Sequence, residues 1–214
     1  MVRLPLPILG LTGFLLLLPI LLWAGAPTDQ LQAAVQKVTR ILEDPALKPE
    51  AKALERQGTV GAAVADLFNF AEISRRALAR HWRQLSEPER EEFVTLFRAL
   101  LERTYLPKIK LYQAERVHFL NELQDGNLAT VQARVVTRRE REVPVTYRLH
   151  RIGERWLIHD VSVEGVSLVA NYRAQFDQII QRASVPGLVA RIRQRLAASE
   201  FLDEEGSANT PNRK

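Results

Sequence analysis

The chain has 214 residues, 46% of them hydrophobic and 26% charged, with a formal net charge of +5 and a pI near 9.8. That length suffices for one domain with a sizeable core, and the composition is that of a globular protein. With no cysteine, disulfides, thiolate metal sites, cysteine nucleophiles and lipidation at cysteine are excluded, and the basic residues lie scattered among 25 acids without the stripe and interleaved aromatics that nucleic-acid binding requires.

Residues 4–26 carry no charge, Arg3 supplies a thin positive region ahead of them, and Ala24-Gly25-Ala26 matches the small-x-small pattern of a cleavage site. The expectation is a signal peptide over residues 1–26 and an exported protein. Pro27 directly after the scissile bond, and an uncharged run long enough to span a bilayer, make an uncleaved anchor the alternative. Pro5, Pro7 and Pro19 speak against a regular spanning helix.

Beyond the leader, Asp29 reads as an N-cap, with Leu31, Ala34, Val35, Val38, Ile41 and Leu42 at helical spacing. Pro45 and Pro49 bound a break. Val60, Val64, Leu67 and Phe68 mark a second helix, which Asn69 separates from Phe70–Leu78. Ser86-Glu87-Pro88-Glu89 is a capping box. It opens the longest helix, whose face carries Phe93, Leu96, Phe97, Leu100, Leu101, Thr104 and Tyr105; Pro107 should kink or end it.

From about residue 115 the period changes from 3.6 to 2. Val117, Phe119 and Leu123 precede the turn signal Asp125-Gly126-Asn127. Ala129, Val131, Ala133 and Val135 alternate next, then Val143, Val145, Tyr147 and Leu149 after a charged reversal at 138–142. Gly153-Glu154 leads to a fourth strand over Trp156–Val163. Four strands joined by short turns predict an antiparallel meander with one apolar face. After Gly165 the helical period returns through Leu168, Val169, Tyr172, Phe176, Ile179 and Ile180, with Pro186-Gly187 interrupting it before Leu188, Ile192 and Leu196. Residues 201–214 read as a disordered tail. The fold class is therefore α+β.

The chemistry-bearing motifs are absent. Gly165-Val-Ser-Leu-Val169 lacks the second glycine of a nucleophile elbow, and there is no glycine-rich phosphate loop or His-Glu-x-x-His pair. His81, His118, His150 and His159 lack ligand spacing, so no metal site is expected. His159 and Asp160, adjacent on a strand, should point to opposite faces. The reading is of a protein that is not an enzyme and needs no cofactor. Apolar residues spread over every element fit either a filled core or a hydrophobic cavity.

Phe68-Asn-Phe70, Ala77-Leu-Ala-Arg-His-Trp82, Phe93–Leu101, Thr104-Tyr105, Val143-Pro-Val-Thr-Tyr-Arg-Leu149 and Trp156-Leu-Ile-His-Asp-Val161 occur in this order. They run into Glu164-Gly-Val-Ser-Leu-Val-Ala-Asn-Tyr-Arg-Ala-Gln-Phe176. Over roughly residues 29 to 196 this resembles the MlaC family, periplasmic phospholipid-binding proteins also described as toluene-tolerance auxiliary components.

The resemblance implies a nuclear transport factor 2-like curved antiparallel sheet of about four strands with an added helical subdomain, forming a lipid-binding domain over residues 27–200. It implies a periplasmic carrier whose cargo is glycerophospholipid. Its partners would be an inner-membrane ABC transporter with an MCE-domain protein, and an outer-membrane lipoprotein–porin complex. On that basis Phe97, Leu100, Leu101, Tyr105, Val131, Tyr147, Val163, Val166, Val169, Tyr172 and Phe176 are the candidate walls of an apolar pocket. Arg173 is the candidate contact for a lipid phosphate or an acidic partner. Val169→Asp is expected to abolish lipid co-purification without unfolding the protein. Two rivals belong to other classes: an enzyme on the same cone using Tyr147 or Tyr172 with Asp160, and a membrane-anchored scaffold with a filled core.

Overall fold

The computed structural model describes residues 26–111, 116–137 and 140–198; the expected leader, apart from Ala26, and the expected tail lie outside them. The architecture is α+β, with five α-helices and an open five-stranded antiparallel sheet among the described residues. Helices α1 (Pro27–Glu43) and α2 (Ala53–Ala65) pack on each other, joined through two short 3-10 turns. Helices α3 (Phe70–Leu78) and α4 (Glu87–Leu111) follow. Strands β1 (Arg116–Asp125), β2 (Leu128–Val136), β3 (Glu142–Ile152), β4 (Arg155–Val163) and β5 (Val166–Ser167) come next, and α5 (Leu168–Ala197) closes the described chain. No helix among the described residues is long and apolar enough to cross a membrane.

The helix ends follow the local chemistry, with three departures. Asn69 caps α3 by accepting from the Glu72 N–H at 3.0 Å. Ser86 N–H and Oγ both donate to Glu89 Oε2, at 2.8 and 2.7 Å, ahead of α4. Helix α1, however, begins at Pro27 rather than after Asp29, because proline fits the first helical position. Its first turn is tied to the sheet instead: Thr28 N–H and Oγ1 donate to Glu122 Oε2 at 2.8 and 2.5 Å. Helix α4 runs through Pro107 to Leu111; packing against α2 and α5 along its length outweighs one lost backbone bond. In α5 the break falls at Ser184 (φ 64), two residues before Pro186, on the side where the proline ring crowds the preceding turn.

The sheet order is β1-β2-β3-β4-β5. The fifth strand extends the expected four, and it exists because Glu164 and Gly165 both take positive φ (51 and 83). That is what a two-residue primed turn demands, and it brings Val166 back opposite Val163. Cross-strand register sets out three rows on one face. They are Ala129–Leu149–Ile158, Val131–Tyr147–Val161 and Ala133–Val145–Val163. The backbone of Leu67–Asn69 lies along the edge of β4: Ile158 N–H donates to the Leu67 carbonyl at 2.8 Å and Asn69 N–H to the Ile158 carbonyl at 2.9 Å. This ties the helical part of the chain to the sheet.

Candidate functional site: the apolar sheet face and its helical border

The apolar face changes character along the strands. At one end α1 seals it: Leu31 packs with Ala129, Val131, Leu149, Trp156 and Ile158 in one buried cluster. The Gln30 side chain fastens this contact, donating to the Trp156 carbonyl and accepting from the Trp156 N–H at 2.9 Å. Beyond Leu31 the same helical stripe continues as Val35, Val38 and Leu42, all only half-buried. On the sheet the first row is closed, Tyr147 and Val161 in the second are partly accessible, and Val163 in the third is 44% exposed. An apolar surface thus opens from α1 toward the β4–β5 turn.

Tyr147 occupies the middle of this face, in register between Val131 and Val161. It lies deep enough that burial pushes its phenol up to about 12, yet it retains accessible surface. That combination describes a side chain partly covered and partly open on the sheet face. No hydrogen bond engages its hydroxyl among the described residues. Tyr172 differs: its hydroxyl, also raised by burial, is hydrogen-bonded with Tyr105 and Thr104.

A second opening lies between α2 and α4. Leu54, Gln57, Gly58, Gly61, Ala62, Arg98, Glu102 and Leu106 line a groove of about 450 Å³, within the size range of small-molecule sites. Gly61 permits the close approach, since a Cβ there would sit 3.1 Å from Leu106 Cδ1. Arg98 closes one side, paired with Glu102 at 2.7 Å and set over the Phe70 ring at 5.1 Å. Leu42, Ala53, Val60, Leu106 and Pro107 line a smaller apolar gap beside it.

The eleven wall candidates fall into three places. Phe97, Leu100, Leu101, Val169, Tyr172 and Phe176 are buried in one helical cluster built by α3, α4 and α5, with Tyr105 packed against it. Its rings interlock: Phe97 meets Tyr172 and Phe176 with centroids 5.0 Å apart, near edge-to-face, and Phe93 meets Phe176 at 5.8 Å. Val131 and Tyr147 belong to the sheet face. Val163 and Val166, the latter 63% exposed, stand at the β4–β5 turn. Arg173 is exposed, and its Nε donates to the Arg76 carbonyl at 2.9 Å, tying α5 to the end of α3. Sequence reasoning passed over Val161, which strand alternation places with Tyr147, and over Leu54, Gly58, Gly61 and Leu106. The groove arises where two helices distant in sequence meet, and nothing local signals it.

The opposite side of β4 holds a polar junction. Asp160 accepts from Arg148 at 2.9 Å, from Ser167 Oγ at 2.7 Å and from the Val169 N–H at 3.1 Å, while Ser167 Oγ accepts from the Ala170 N–H at 3.0 Å. One carboxylate therefore locks the start of α5 onto the sheet. The expected opposition of His159 and Asp160 does not hold. A bulge where β4 passes Arg148 and Leu149 turns both toward the face of Arg148 and His150. His159 stacks on His150 at 5.4 Å, a pairing of residues nine apart that their spacing did not announce. Asn69 Nδ2 lies 3.0 Å from His150 Nε2. Burial and the nearby Arg76 and His150 push the His159 imidazole down to about 4. Asp160 thus projects from the face opposite Tyr147, and its oxygens are engaged by Arg148, Ser167 and the Val169 N–H, which separates the acid from Tyr147, one of the two tyrosines the enzyme reading offers. Among the described residues no three His, Asp or Glu side chains cluster as a metal site would require.

An open antiparallel sheet whose apolar face is sealed at one end and accessible at the other, bordered by a packed helical unit, defines an α+β protein organised around apolar surface. The chain belongs to the MlaC protein family, whose model matches residues 32–194. Among solved structures it is similar to the phospholipid-binding protein from Ralstonia solanacearum, determined in complex with a phospholipid. The two are 24% identical over 80% of this chain and 97% of that one, with a TM-score of 0.71, which shows a common fold. No curated protein matches the chain.

Proposed function

We propose that this protein is a periplasmic phospholipid carrier that exchanges glycerophospholipid between an inner-membrane ABC transporter with an MCE-domain protein and an outer-membrane lipoprotein–porin complex, so maintaining outer-membrane lipid asymmetry. The observation that carries this reading is the apolar sheet face, which stays accessible around Tyr147, Val161 and Val163. Membership of the MlaC family and the phospholipid held by the Ralstonia protein of like fold support it. The uncharged leader with its small-x-small end supports export.

In this reading Val131, Tyr147 and Val163 form the sheet side of the lipid site, with Val166 at its rim. Leu100, Leu101, Tyr105, Phe97, Val169, Tyr172 and Phe176 form the helical side, whose residues part when acyl chains enter. Arg173 faces a head group or an acidic partner from the surface of α5. Each buried methylene stabilises by about 0.8 kcal/mol relative to water, so two long chains total on the order of 20 kcal/mol. Release into water is then too slow for transport. A bilayer buries the chains as well as the protein does, so hand-over during docking is close to balanced, and few polar contacts are needed.

Native mass spectrometry of the purified mature chain, followed by lipid extraction, tests the proposal. The expected result is one phospholipid per chain. A chain that remains empty after incubation with phospholipid vesicles would overturn the carrier reading in favour of a filled scaffold.

A further inference from the structure

We infer that the Tyr147 hydroxyl is a positioning group that donates a hydrogen bond to an acyl-ester carbonyl of the bound lipid. This rests on the carrier reading and adds a specificity for ester over ether linkage. Tyr147 stands in the middle row of the sheet face, between Val131 and Val161, with Leu149 and Val145 on its own strand to either side on the same face. A hydroxyl placed among such neighbours finds no protein group to bond and is left to water or a ligand at the accessible part of the face. Tyr172, the other deeply set tyrosine, avoids this by bonding with Tyr105 and Thr104. Tyr147 has no such partner among the described residues, and phenylalanine would pack the same space without a polar atom to satisfy.

The chemistry of the partner follows from the surroundings. Burial raises the phenol far above neutrality, so it stays protonated and offers a donor. The rows around it present valine, alanine, leucine and isoleucine, and the acid on this face, Glu122 opposite Val131, already accepts from Thr28. With apolar neighbours and a carboxylate rather than a cation nearby, a phosphate would lose its hydration without compensation. A neutral acceptor at the head of an alkyl chain fits, and in a glycerophospholipid that is the ester carbonyl. An ether-linked lipid of the same chain length lacks it.

The test compares wild type and Tyr147→Phe in competition for two phosphatidylcholines of equal chain length, one diacyl and one dialkyl-ether, offered in mixed vesicles and scored by native mass spectrometry. Wild type should favour the diacyl lipid about fivefold, the worth of one net hydrogen bond. Tyr147→Phe should take both equally, with a melting temperature at or above that of wild type. Equal uptake by wild type, or a preference that survives in Tyr147→Phe, overturns the anchor while leaving the carrier intact. A wild type that takes neither lipid overturns the carrier reading and the anchor with it.

Discussion

The helical cluster and the sheet face are both built from apolar side chains, and they end in different states. In the helical cluster Phe93, Phe97, Tyr172 and Phe176 interlock edge-to-face and are all buried. On the sheet face the row beneath α1 is closed, while two rows further along Val163 reaches solvent. Helices with wide apolar stripes can rotate and slide until rings interdigitate. A sheet face is set by strand register and is only as covered as the elements laid across it. The helical unit is packed shut, and the sheet face is where apolar area stays exposed.

The widest separation between the two regions should come from charge. Val169→Asp puts a carboxylate into the buried cluster at the first turn of α5, where Asp160 already accepts from the Val169 N–H, and should cost more than about 4 kcal/mol. It should unfold the chain at ordinary temperature by circular dichroism, so it tests the fold before the pocket, unlike the outcome anticipated from sequence. Phe97→Ala, a truncation at a fully buried ring, should destabilise by about 3–5 kcal/mol in urea titration. Val161→Trp, by contrast, fills the half-open row beside Tyr147. It should reduce co-purified phospholipid severalfold while shifting urea stability by less than about 1.5 kcal/mol. Equal stability losses for Val161→Trp and Phe97→Ala would dissolve the contrast between the regions.

Acid provides a subtler comparison. His159 holds its imidazole at about 4 against the ordinary 6.5, so the unfolded chain binds a proton the folded one refuses between those values. Stability should fall as pH drops from about 6.5 to about 4, by no more than about 3 kcal/mol from this group. His159→Phe should flatten that window in urea midpoints measured across pH. At the small end, Ser86→Ala removes one half of the α4 capping box and should cost about 1 kcal/mol.

The structure also explains why the legible parts were legible. The capping box, the Asn69 cap, the hairpin glycines and the change from a 3.6 to a 2 period are local signals, and the elements they mark are present. At several places where expectation and structure part, contacts beyond the local sequence took part. Thr28 reaches Glu122, 94 residues away, instead of leaving the helix start to Asp29. Helix α4 survives Pro107 because neighbours hold it on both sides. A single bulge in β4 turns His159 and Asp160 to one face.

The sequence by itself determined the order and type of the elements, the apolar side of each, and the likeness to the MlaC family, because periodicity and motif order reside in neighbouring residues. Which of those apolar sides became a sealed core and which stayed open was decided by tertiary structure alone. Periodicity reports that a face is apolar; how closely another surface approaches it depends on contacts between residues tens of positions apart. Hence Phe97 and Tyr147, indistinguishable as pocket walls in the sequence, differ in the fold: one locked among aromatic rings, the other partly open on the sheet face.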